Sequence, residues 1–102
     1  MAALSRAYRE LGERLTETLA RHDPIGLVDM GAPRSEYEPE VGTILPRLRE
    51  ASSAAEVSRI VHEEFVRWFD ADIAGPETTY GAAGEEIWSL WLASPLRAAT
   101  LS

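Results

Sequence analysis

A chain of 102 residues suffices for one domain with its own core, and the absence of cysteine excludes disulfide frameworks, thiolate metal sites and thiol nucleophiles. Seventeen acidic residues against ten basic ones leave a net charge of −7, which disfavours nucleic acid and anionic membrane surfaces and favours a basic partner. No apolar run is long enough for a bilayer and the N-terminal stretch holds no signal-like apolar core, so a soluble, cytoplasmic protein is expected.

The first predicted element is a helix over residues 3–21. Leu4, Tyr8, Leu11, Leu15 and Leu19 recur every three or four positions and form one apolar stripe. Glu10 with Arg14 and Glu17 with Arg21 stand in the favourable acid-first i,i+4 order on its other faces. Asp23-Pro24 ends this helix, because the residue before proline is pushed out of the α region, and His22 suits the negative end of the helix dipole. All basic residues are arginine, and the acid excess lies beyond this helix: residues 1–22 carry four Arg and three Glu, residues 23–102 six Arg and fourteen acids.

From His22 to Val41 the sequence HDPIGLVDMGAPRSEYEPEV has neither helical nor strand periodicity, and long loops in small domains tend to carry function or disorder. Pro24 and Gly26 suit a turn that tucks Ile25 and Leu27 inward, and Gly31 suits a positive φ, which together predict an ordered lid. Asp29, Met30, Arg34, Glu36, Tyr37 and Glu38 make a mixed acidic surface with an adaptable Met and an amphipathic Tyr, the composition of a partner-binding rim. Tyr37 has an equally simple alternative, which is to pack at the start of the second helix.

That helix opens at Glu38-Pro39-Glu40, with proline in the first turn, and buries Val41, Ile44, Leu45 and Leu48. Pro46 must kink or break it near Leu45, with Gly42 at the strained i−4 position. Ser53-Ala54-Ala55-Glu56 has capping-box spacing and precedes a third helix with Val57, Ile60, Val61, Phe65, Trp68 and Phe69 on its stripe. After Gly75-Pro76 a fourth helix is predicted from Glu77 to Ala93, with Tyr80, Ala83, Gly84, Ile87, Leu90 and Trp91 inward. Trp88 and Leu92 fall outside that face and suggest burial on more than one side or a homodimer contact. Residues 94–102 lack a period and read as a loose tail. The expected fold is all-α: a compact bundle of about four helices over residues 1–93, with one long ordered loop between the first two.

Signatures of chemistry are sparse. His62 in VHEEF has no second histidine at i+4, and neither histidine has a cysteine nearby, so no metal or other cofactor is expected. The pairs Glu63-Glu64 and Glu85-Glu86 read as solvated helix faces rather than as acid/base pairs in a cleft. Neither a G-x-S-x-G elbow nor a phosphate-cradling glycine loop ending in Lys is present. Gly81-Ala82-Ala83-Gly84 has the spacing of an RNA-binding GXXG clamp, but it lies on a helical stripe and reads as close helix packing.

The residues Asp23, Pro24, Ile25, Gly26, Leu27, Gly31, Ala32, Pro33, Glu36, Tyr37 and Glu38 resemble the corresponding run of the small bacterial YugE-like family, whose function is unknown. The resemblance implies an all-α cytoplasmic protein of about four helices and brings no catalytic residue with it. More loosely, loops of this type are similar to those of immunity proteins that neutralise secreted toxins. The leading expectation is a non-enzymatic protein-interaction module, an immunity-type inhibitor being its specific form, that grips a basic partner through the acidic loop. The alternatives are a homo-oligomer built through Trp88 and Leu92, and a small-ligand binder or enzyme with a pocket under the loop near Trp68.

Overall fold

The computed structural model describes residues 2–101. Within them the chain is all-helical, with α1 (Ala2–His22), α2 (Glu38–Ile44), α3 (Ala54–Phe69), α4 (Ala71–Ala74), α5 (Gly81–Ala93) and α6 (Pro95–Leu101). Short 3-10 stretches run over Arg34–Tyr37, Leu45–Glu50 and Glu77–Tyr80. The count among the described residues is therefore six α-helices rather than about four, because α4 and α6 form in segments that carry no apolar period of their own.

Each division has a local cause. Pro46 cannot continue α2, which ends at Ile44 and tightens into the 3-10 stretch that carries Leu45 and Leu48 inward. Asp70 takes a φ of 83°, stops α3, and turns its carboxylate to accept from the Ile73 N–H at the start of α4. Gly75, with φ 73°, and Pro76 then separate α4 from the turn leading to α5. Ser53 caps α3 by accepting from the Glu56 N–H at 3.2 Å, whereas the Glu56 carboxylate reaches one residue further back than in a capping box and accepts from Ser52. The loose tail expected from residue 94 is instead helical through Leu101, starts where Ser94 Oγ accepts from the Leu96 N–H, and lies against α1 and α5. Ser102, the last residue of that expected tail, lies outside the described residues.

The core is a single cluster in which Leu11, Leu15 and Leu19 of α1 meet Tyr37, Ile44 and Leu48, then Val57, Val61 and Phe65 of α3, and Tyr80, Ile87 and Trp91 on the α5 side. Phe65 sits at its centre, with ring centroids 5.8 Å from Tyr37, 5.8 Å from Phe69 and 5.1 Å from Tyr80. Helices α3 and α5 pack most closely, and Gly84 is the reason. A Cβ at that position would stand 2.9 Å from Ser58 Cβ and 3.0 Å from its Cα. The radius of gyration, 13.1 Å, is that of a compact domain of this length. No helix among the described residues is long and apolar enough to cross a membrane.

Candidate functional site

The loop after α1 spans residues 23–33 and is shorter than the twenty aperiodic residues predict, because Arg34–Tyr37 winds into a 3-10 turn that feeds straight into α2. Its organiser is Asp23, which the sequence marks as a helix stop and as the first residue of the family-like run. With φ 47°, Asp23 turns the chain back over its own carboxylate. Oδ1 accepts from the Val28 N–H at 3.0 Å and from the Tyr37 hydroxyl at 2.6 Å, and Oδ2 accepts from the Asp29 N–H at 2.9 Å. Desolvation alone would raise the Asp23 carboxyl, but the Tyr37 hydroxyl and the backbone donors outweigh it and hold it below the ordinary aspartate value. Gly26 and Gly31 have positive φ, as expected, and Ile25, Leu27 and Val28 rest against the core. The signal in the sequence was Asp-Pro-x-Gly itself, since Asp tolerates the left-handed region and bonds its own downstream backbone.

Tyr37 corrects the expectation of a surface anchor. It is 0% exposed, its ring packs on Phe65, and burial together with the Asp23 carboxylate pushes its hydroxyl well above the usual tyrosine value. It is a staple between loop and core. The other rim residues are exposed. Met30 is 74% exposed at the loop tip next to Asp29, while Arg34 turns towards α1 and pairs with Glu17 at 2.5 Å. The expected Glu17–Arg21 pair is thus exchanged for tertiary ones. Arg21 donates to both oxygens of Glu86, at 3.2 and 2.6 Å, and His22 stands 2.9 Å from the same carboxylate, which falls to about 2.

Arg34 and Glu38 line a groove of about 730 Å³ between α1 and α2. Tyr8, Arg9, Gly12, Glu13, Thr16 and Glu17 line it from α1, and Val41, Gly42 and Leu45 from the α2 side. The groove stays open because two glycines face it: a Cβ at Gly12 would meet only Leu45 Cδ2 at 3.7 Å, and one at Gly42 would meet nothing within 4 Å. The α1 stripe also overshoots its cover. Leu11, Leu15 and Leu19 are buried, whereas Leu4 and Tyr8 are 41% and 46% exposed, and of these two Tyr8 lines the groove. Glu36 is exposed away from the groove lining.

Of the carboxylate pairs, Glu63-Glu64 is not the solvated face expected. Glu64 is buried and is held by Arg47 at 2.9 Å and Arg67 at 3.4 Å, while Arg47 also reaches Glu63 and Glu50. His62 bonds the Gly75 carbonyl at 2.9 Å and lies tilted against Tyr80 with ring centroids 5.5 Å apart. Trp68 is half exposed and donates its indole N–H to Thr43 Oγ1. Trp88 packs partly against the core, which leaves Leu92 as the exposed member of the pair considered for a homodimer. Among the described residues no group of three or more His, Cys, Asp or Glu side chains is placed to hold a metal ion.

A scan against protein-family models and searches of curated proteins and of solved structures find no match to the chain. None of these comparisons bears on the YugE-like resemblance read from the loop residues.

Proposed function

We propose that this chain is a non-enzymatic protein-interaction module that receives a basic amphipathic helix in the groove between α1 and α2. The observation that carries the reading is the groove itself, in which Val41, Leu45 and two glycines lie among charged side chains, the kind of surface that binds amphipathic helices. Arg34 and Glu17 pair with each other, which leaves the acids Glu13 and Glu38 against Arg9. The net charge of −7 steers a cationic partner towards this surface. Of the rim residues named from the sequence, Arg34 and Glu38 belong to this docking surface, whereas Asp29, Met30 and Glu36 lie outside it and Tyr37 serves beneath it. An immunity-type inhibitor that captures a basic toxin is the specific form of this activity that the loop resemblance suggests.

The test is a titration of the isotope-labelled protein with a helical Leu/Lys peptide, alongside a scrambled peptide of the same composition. Chemical-shift changes are expected at Gly12, Val41, Gly42 and Leu45 for the amphipathic peptide only. Reversing Glu13 and Glu38 to Arg weakens binding several-fold, mainly at low salt, as charges at a rim do. Shifts centred on Asp29 and Met30, or on Trp88 and Leu92, or equal responses to both peptides, overturn the reading.

A further inference from the structure

The chain itself carries a helix of the kind the groove fits. Up to Arg9, α1 holds Leu4 and Tyr8 on one stripe, Arg6 and Arg9 as its charges, and no acid before Glu10. We propose that the groove is occupied by the first turns of α1 from a second copy, the two chains crossing antiparallel about a two-fold axis near residue 10. This rests on the reading of the groove as a docking surface and names its partner.

Three observations converge on self-pairing. Leu4 and Tyr8 continue, at intervals of four, the row that holds Gly12 and Thr16 in the groove, so one stripe supplies both the protruding apolar side chains and the hollow. Tyr8 and Gly12 are one turn apart, about 6 Å along the axis. An antiparallel crossing near residue 10 therefore sets each Tyr8 over the partner's Gly12, where the missing Cβ leaves room. The third observation is electrostatic. Arg9 and Glu13 stand on the same edge of the groove in cation-first order, the less favourable order within one helix, and among the described residues neither makes an ion pair. The same crossing brings each Arg9 within reach of the partner's Glu13. Because both chains use the same patch, two copies satisfy both grooves and the assembly closes as a dimer rather than growing.

Sedimentation equilibrium of the full chain at about 100 µM, a range in which weak dimers are populated, should give twice the 11.3 kDa chain mass. Tyr8→Glu should loosen the dimer roughly thirtyfold, as loss of a buried aromatic anchor does, while leaving the helical circular dichroism unchanged because Tyr8 is exposed within one chain. Arg9→Glu should loosen it too, and adding Glu13→Arg should recover most of the loss. A monomer at that concentration overturns the proposal, as does a dimer that ignores Tyr8→Glu and Arg9→Glu and yields to Leu92→Glu. If the chain is monomeric and the Leu/Lys peptide still marks the groove, self-pairing falls and the docking surface stands. If the peptide also leaves the groove unmarked, both fall.

Discussion

Glycine is used in opposite ways on the two sides of this molecule. Between α3 and α5, Gly84 lets two backbones close until Ser58 occupies the space a side chain would need. Between α1 and α2, Gly12 and Gly42 leave their space unfilled, and a groove remains. The difference lies in what faces each glycine. Ser58 is small and sits on a helix pressed inward by Val57, Val61 and Phe65, whereas the neighbour of Gly12 is a Leu45 side chain on a segment broken by Pro46. A missing side chain becomes a contact where the core pulls the partner helix in, and a cavity where the backbone cannot follow.

The comparison is broken most forcefully at its tight side. Gly84→Ala should cost about 3 kcal/mol through overpacking and lower Tm by more than about 10 °C, whereas Gly42→Ala should raise stability by about 0.5–1 kcal/mol through helix propensity. Denaturant melts of the two variants decide the matter, and equal effects would dissolve the contrast.

Tyr37 joins the two sides, since its ring belongs to the core and its hydroxyl holds the loop that leads to α2. Tyr37→Phe should cost about 2 kcal/mol at neutral pH, the value of a hydrogen bond to a charged group. The folded Asp23 carboxyl titrates below its unfolded value, so its stabilisation is complete above the unfolded value, about 3.9, and fades as pH falls through the folded one. The deficit of Tyr37→Phe should accordingly shrink in urea melts run at progressively lower pH. A deficit that holds steady into strong acid would detach the Tyr37 hydroxyl from the Asp23 charge.

The smallest effect sharpens the picture of α2. Glu40 is only 4% exposed, and its Oε2 has no hydrogen-bond partner. Burial, with the nearby Glu36 charge, pushes its carboxyl up. A carboxyl raised on folding costs nothing below its unfolded value, about 4.3, and takes its full penalty once pH has risen through the folded value. Glu40→Gln should therefore stabilise the protein by about 1 kcal/mol at pH 8 and leave it unchanged at pH 3. A gain of the same size at both pH values would show that the carboxylate charge plays no part.

Much of the helical frame was legible in the residues. Asp23-Pro24, Pro39, Pro46, Ser53 and Gly75-Pro76 each mark a boundary that the structure keeps, because caps, prolines and positive-φ glycines act on the backbone within a few positions. Most of the inward faces of α3 and α5 followed from spacing, but Trp68 of the expected stripe is half exposed and Phe69 and Leu90 are only partly buried. The candidate site was less legible. Arg34 and Glu38 were named for a loop surface and stand on a groove edge, and Gly12 and Gly42, which hold that groove open, carry no local sign of doing so.

What the sequence determined by itself is where α1, α2 and α3 begin and end and which side of each is apolar, since those properties are set by neighbours within a turn, whereas α4 and α6 carried no such mark. Only the tertiary structure decided that Tyr37 is a staple, that Glu17 and Arg21 leave each other for Arg34 and Glu86, and that Leu4 and Tyr8 run past the end of their cover. An apolar stripe says which way a side chain faces. Whether anything stands opposite depends on the lengths and breaks of helices distant in the chain, which no local pattern encodes.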